Sequence, residues 1–213
     1  MIRWDWIPRN IPALVDGVVD HVVLTVIAVA VGLVLSIALS LLIYRWRALF
    51  APVTGLAGIL YTIPSLALFA FLVPFTGLTL VTAEIGLVSY TLLILIRNIM
   101  AGLDGVPQEI REAADGMGYG VAARLLRVEF PLALPLILAG LRIATVTTIG
   151  LVMVTSVIGE GGLGQLILRG FTLQNFASIY AAAVLTVALA IAADLLLLGL
   201  GRLLTPWTRI GER

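Results

Sequence analysis

Between His21 and Arg45 the chain carries no charged residue: the run VVLTVIAVAVGLVLSIALSLLIY reads straight through. Crossing a bilayer takes roughly 20 mostly apolar residues. Five segments meet that requirement, at 20–43, 52–73, 83–102, 131–157 and 177–201, each bounded by charges, prolines or glycines. In lipid, backbone groups have to be satisfied within their own segment, so such runs form helices. With 61% hydrophobic and 12% charged residues among 213 and a mean hydropathy of +1.14, the chain lies outside the soluble range. The expected fold is all-α, a polytopic membrane protein with five transmembrane helices in one domain over 1–213. Pro64 falls inside the second run and is expected to kink that helix or break it into halves.

Composition also removes several function classes. The net charge of +1 gives no reason to expect a nucleic-acid partner. There is no Cys, which excludes disulfides and thiolate chemistry, and the single His, His21, leaves little for a metal site or an imidazole base. No nucleophile–base cluster is present, so no catalytic residues are assigned. The N-terminus, with Trp4, Asp5, Trp6, Pro8 and Arg9, lacks the apolar core of a cleaved signal peptide. It reads as an external lead-in over 1–19, with interfacial tryptophans and an amphipathic Ile11–Asp20.

Arginine asymmetry gives the orientation. Arg45, Arg47, Arg111, Arg124, Arg127, Arg202, Arg209 and Arg213 fall on one side, and Arg3, Arg9 and Arg169 on the other. The N-terminus is expected outside, the C-terminus and the 103–130 segment in the cytoplasm, and the glycine-rich 158–176 segment outside.

The 103–130 segment holds the densest charge in the chain, EIREAADGMGYG at 109–120. Pro107 suits a helix start, and Glu109 places negative charge at the positive helix end. Ile110, Ala113, Ala114 and Met117 recur at i, i+3, i+4 and i+7, an apolar face, with Arg111, Glu112 and Asp115 opposite. Gly116, Gly118 and Gly120 are expected to stop the helix. So short a helix is marginal alone, and two alanines on its apolar face would let it press into a groove on another protein.

The stretch EAADGMGYGVAARLLRVEFP (112–131) resembles the signature of ATP-binding-cassette importer permeases: Glu-Ala-Ala, three residues, Gly, nine residues, then Ile-x-Leu-Pro. Glu112, Ala113, Ala114, Gly118 and Pro131 match, with Val128 for Ile and Phe130 for Leu. The resemblance implies the type I importer permease fold and makes this stretch the coupling helix that fits a cleft in a cytoplasmic ATPase subunit. Glu109, Glu112, Ala113, Ala114 and Gly118 are then the ATPase-coupling residues. It further implies an external substrate-binding protein and a second permease copy or a related chain. ATP and Mg would sit on the partner ATPase, since this chain has no phosphate-binding loop and binds no cofactor itself. The setting would be the cytoplasmic membrane of a prokaryote.

Further stretches, YTIPSLALFAFLVPFTGL (61–78), IRNIMAGLDGVP (96–107), LPLILAGLRIATV (134–146) and IGEGGLGQLILRGF (158–171), are similar to the osmoprotectant group, the glycine betaine, carnitine and choline permeases. Leu93-Ile94 departs from a Leu-Pro common in that group. A methionine-type permease is the alternative, and an ion-driven secondary transporter the alternative of another class. The latter would need intramembrane acids and inverted repeats; Asp194 alone is expected to qualify as such an acid, and no repeat is evident.

GEGGLG (159–164) spells a dinucleotide fingerprint but follows a membrane span rather than a strand, so a tightly turned external loop is expected instead. Arg97, Arg142 and Asp194 lie within spans, with an Arg142–Asp194 pair and Arg97 near it expected. Ala28, Gly32, Ser36 and Ser40, like Gly140, Ala144 and Thr148, form small-residue packing stripes. A quaternary ammonium substrate favours aromatic faces, which makes Tyr61, Thr62, Ser65 and Tyr90 the candidates for the substrate pathway.

Overall fold

The computed structural model describes residues 4–207. Arg3, Arg209 and Arg213, counted above for orientation, lie outside the described residues. A short α1 (Trp6–Arg9) leads into α2 (Ile11–Arg45), a helix of 35 residues. The lead-in from Ile11 is therefore not a separate element but the first turns of α2. Asn10 marks the junction, its side-chain amide donating to the Trp6 carbonyl at 2.7 Å, and Pro12 sits in the first turn of α2, where its missing N–H costs nothing. At ~1.5 Å per residue α2 is about 50 Å long, more than a hydrocarbon core of roughly 30 Å.

The second apolar run forms two helices, α3 (Phe50–Thr62) and α4 (Ser65–Thr76), bent by 98° at the break. Ile63 is extended (ψ 127°), as expected for the residue before a proline. The freed Ile63 carbonyl accepts a hydrogen bond from the Tyr90 hydroxyl. Tyr90 lies midway along α5 (Leu80–Asp104), so the break lies at mid-depth. At one end of α5, Arg47 just ahead of α3 pairs with Asp104. At the other, the Thr76 and Thr82 hydroxyls meet at 2.6 Å. The two half-helices together bridge the length of α5 as one broken span.

The centre of the molecule is α5. Its C-terminal half, Leu95, Ile96, Ile99, Met100 and Leu103, is buried against Ile43 of α2 and against Ala133, Ile137 and Ala144 of α8 (Phe130–Val152). Its N-terminal half, with Ala83 and Leu87, packs with Leu24, Ala28 and Phe69. The helices approach closely because small residues face each other: Gly32 lies on Thr91, Gly140 on Asn98, and a Cβ at Gly102 would sit 2.8 Å from the Ala133 carbonyl oxygen. The stripe Ala28, Gly32, Ser36 and Ser40 is buried throughout, as are Gly140, Ala144 and Thr148.

After α8 a 3-10 turn over Val154–Ile158 leads into the glycine-rich segment, α9 (Leu163–Thr172) and α10 (Phe176–Leu204). Gly159, Gly161 and Gly162 all adopt positive φ, and a side chain at Gly162 would strike the Gly17 carbonyl and the His21 backbone. GEGGLG is thus a loop wedged against α2, with Gln165 donating to the Ser156 and Glu160 carbonyls to hold it. No strand precedes it among the described residues. His21 donates from Nε2 to the Ile149 carbonyl at 2.9 Å, tying α2 to α8. The last span, α10, buries only Ala177, Ser178 and Ala182 in its own chain.

Candidate functional site

The charged stretch forms α6 (Gln108–Gly116), with Glu109 in its first turn. It ends in a left-handed turn at Gly118 (φ +83°), where the Tyr119 amide donates to the Ala114 carbonyl at 3.1 Å. Gly118 is the glycine that stops the helix. Gly116 is still helical and Gly120 has an ordinary negative φ, which corrects the expectation that all three were needed. A one-turn α7 (Val121–Arg124) follows, and the backbone then widens into a π turn over Leu125–Glu129 before α8 begins. Such turns recur at functional positions because they re-aim a side chain.

Here the re-aimed side chain is Glu129, whose carboxylate is fully buried. Its Oε1 accepts from the Tyr44 hydroxyl at 2.7 Å and from Arg124 Nε at 2.9 Å. Its Oε2 lies 3.3 Å from Arg111 Nε. Arg124 also grips Asp115, with Nη1 at 2.7 and 2.5 Å from the two carboxylate oxygens. Arg111 Nη2 donates to the Leu103 carbonyl at 2.6 Å. Two arginines, two acids and a tyrosine thus join α6 to the C-terminal ends of α2 and α5 and to the start of α8. Removing one member of such a buried pair costs about 3–5 kcal/mol, because the other charge is stranded. None of Tyr44, Arg124 or Glu129 was singled out for this role from the sequence. The only signal was that five charges, Glu112, Asp115, Arg124, Arg127 and Glu129, follow Arg111 within 18 positions.

The network decides which way α6 faces. Arg111, Ala114 and Asp115 point inward, and Ala114 is buried. The expected docking face is therefore corrected. Apolar periodicity put both alanines outward, whereas paired charges claim the inner side and carry Ala114 with them. The outward face consists of Glu109, Glu112, Ala113 and Met117, and Val121 and Leu126 of the following turns are exposed as well. Met117, Val121 and Leu126 are 70%, 61% and 65% exposed.

At the Pro64 break the four expected pathway residues separate in role. Tyr61 and Tyr90 meet edge to face, ring centroids 5.9 Å apart. Tyr90 is buried and its hydroxyl is committed to the Ile63 carbonyl, so it braces the break rather than lining an opening. Tyr61 and Thr62 are exposed on the α3 side, and Ser65 is half-buried at the first turn of α4.

Arg142 and Asp194 form a two-point ion pair between α8 and α10. Arg97 is not beside it. It is exposed on the side of α5 that carries Tyr90, whereas α8 packs on the side that carries Asn98. The third span also contains an acid, Glu84, besides Asp194 of the last, and both of its carboxylate oxygens are buried without a hydrogen-bond partner.

The family described as "Binding-protein-dependent transport system inner membrane component" is matched over residues 28–210, from the middle of α2 past the end of α10. The osmoprotectant import permease protein OsmW of Salmonella typhimurium is 40% identical over 171 residues, which cover 78% of this chain and 80% of that protein. The choline transport system permease protein OpuBB of Bacillus subtilis is 39% identical over 154 residues, covering 72% and 71%. A solved inward-facing structure of the MetNI methionine ABC transporter superposes on 92% of this chain and 98% of its own with a TM-score of 0.82, at 23% identity, which shows a shared fold. With the spans, the broken second helix and the loop signature all inside the matched range, the chain is a multi-pass membrane protein and belongs to the binding-protein-dependent transport system inner membrane components.

Proposed function

We propose that this chain is the membrane-spanning permease subunit of an ATP-driven importer for quaternary-amine osmoprotectants of the glycine betaine, choline and carnitine class. The observation that carries the reading is α6. It is a short helix clamped from behind by Arg111 and Asp115, and it offers Glu112, Ala113 and Met117 to a partner. A helix laid into a groove is a recurrent way for one protein to push on another. The partner is an ATPase subunit that carries ATP and Mg. Glu109, Glu112, Ala113 and Gly118 make or shape the contact, and Ala114 seats the helix on its own chain.

In this reading the arginine-rich end that carries α6 is cytoplasmic and the GEGGLG end is external, where a loaded substrate-binding protein docks. Two permease copies, or this chain and a related one, enclose the path. Closure of the ATPases on ATP draws the two α6 helices together and opens the path outward, and hydrolysis resets it. Tyr61, at the bend of the second span with Thr62 and Ser65 flanking it, offers an aromatic face to a trimethylammonium group as it passes. The substrate class is supported by identities of 38–40% to proteins named for osmoprotectant, choline and glycine betaine/carnitine/choline transport. The methionine transporter stands at 23%.

The test is reconstitution of the chain with its ATPase in liposomes, with the loaded binding protein added. The expected result is uptake of a radiolabelled quaternary amine that requires ATP. Uptake driven by an ion gradient without the ATPase, or uptake of methionine alone, would overturn the reading.

A further inference from the structure

We propose that Glu129 is a positioning residue of the transport cycle, the carboxylate through which a displacement of α6 passes as one rigid movement to α2 and α8. The inference rests on the coupling role proposed for α6.

A helix of nine residues does not hold itself in water, and α6 buries a single side chain, Ala114. Apolar packing therefore cannot fix its position. Its backbone lies chiefly against α7 and the π turn, so side-chain links have to carry its movement to the membrane helices. Those links converge. Arg111, on α6, faces Glu129 Oε2. Asp115, on α6, holds Arg124, which donates to Glu129 Oε1. Tyr44, in the last turn of α2, donates to the same Oε1. Leu103, in the last turn of α5, accepts from Arg111. Glu129 itself stands one residue ahead of α8. One buried carboxylate thus receives α6 twice and α2 once, and is covalently the start of α8.

The backbone is shaped for this. Opening the α turn into a π turn adds one residue to the turn, and one residue is about 100° of rotation around the helix. Without the π turn over Leu125–Glu129 the carboxylate would be swung out of the junction. The network is also directional in a useful way. Oε1 is fixed by two hydrogen bonds, whereas Oε2 and Arg111 Nε face each other at 3.3 Å without a formed hydrogen bond. That contact tolerates a small rotation of α6 without breaking the attraction.

The test uses the full complex of this chain with its ATPase and binding protein in liposomes, and reads substrate moved per ATP hydrolysed. Glu129→Gln keeps the size and removes the charge; Tyr44→Phe keeps the charge and removes the hydroxyl that donates to Glu129 Oε1 and accepts from Arg124 Nη2 at 3.4 Å. With the charge lost, the ratio is expected to fall at least about tenfold in Glu129→Gln, and with only the hydroxyl lost, roughly threefold in Tyr44→Phe, while hydrolysis continues. Because the chain has no Cys, spin labels at Gln108→Cys and Leu41→Cys report α6 against α2. Their distance distribution is expected to be narrow with Glu129 and broad with Glu129→Gln. An unchanged ratio, or an unchanged distribution, overturns the proposal. If Glu129→Gln does not assemble, Tyr44→Phe decides, and a normal ratio there overturns it equally. Failure of the unsubstituted complex to use ATP for uptake would instead count against the importer reading.

Discussion

Arg142 on α8 holds Asp194 on α10 through Nε and Nη2, each 2.8 Å from a different carboxylate oxygen. Counting ~1.5 Å per residue, the pair lies about 18 Å from the start of α8 and about 15 Å from the end of α10, near mid-depth. Both side chains remain about a third exposed, in a groove of about 620 Å³ between the two helices.

An unpaired Arg at that depth costs roughly 2.5–3.5 kcal/mol on insertion scales, and partial exposure lowers what the pair itself contributes. Asp194→Asn is therefore expected to reduce both membrane yield and uptake. Adding Arg142→Gln is expected to recover more than half of the loss, because the stranded charge goes with it. Membrane yield by blot and uptake in the same vesicles check this. A double variant no better than the single would show that the pair is not what matters there.

Tyr90→Phe isolates the brace at the bent span. The substitution keeps the ring against Tyr61 and removes the hydroxyl that serves the Ile63 carbonyl. Leaving that carbonyl unpaired in a buried site is expected to cost about 1–3 kcal/mol, read as a lower melting temperature in detergent. Tyr61→Phe, at an exposed ring, is expected to leave the melting temperature unchanged.

How far the sequence carried the fold differs from element to element. The apolar runs, the break at Pro64 and the loop signature depend on composition and on neighbours in sequence, so they could be read directly. The 98° bend could not: a proline says that a helix stops, and only the packing of Phe69 and Tyr90 on α4 and α5 says where it goes next. Ala114 was assigned to the wrong face for a related reason. Apolar periodicity finds a buried face when apolar contacts fix the helix, and α6 is fixed by charge. Arg111 and Glu129 are 18 residues apart, with a left-handed glycine and a π turn between them. No spacing rule spans those two irregularities. Arg97 was grouped with Arg142 by depth alone, which leaves out the direction around the helix.

Glu84 shows the same limit from the other side. It lies one turn into α5 with both carboxylate oxygens out of reach of water and of any partner. A buried polar group without a partner costs free energy, so Glu84→Met is expected to raise stability by about 1–3 kcal/mol. Thermal melting measures that gain, and uptake by the same variant separates two cases. A more stable and fully active chain makes Glu84 dispensable; a more stable chain that no longer transports makes it a working group retained at the expense of stability. A fall in melting temperature would mean that Glu84 has an interaction that makes it stabilising.

The outward face of α6 provides the sharpest contrast with the network behind it. Glu112 and Met117 make no contact that holds the fold: Glu112 is exposed and bonded only to Gln108 at 2.8 Å, and Met117 is 70% exposed. Surface substitutions away from packing and pairing shift stability by about 0.5 kcal/mol or less. Glu112→Arg and Met117→Glu are therefore expected to leave melting unchanged. They should nonetheless weaken association with the ATPase by at least about tenfold, the effect of losing one well-packed contact at an interface centre. Arg111→Gln and Asp115→Asn are expected to behave oppositely. They lie behind the helix, so the ATPase still binds, but the loop loosens and the melting temperature falls. Co-purification of the ATPase alongside thermal melting distinguishes the two faces. If Glu112→Arg melted early, or if Asp115→Asn abolished ATPase binding without a change in melting, the division of α6 into a docking face and an anchoring face would be wrong.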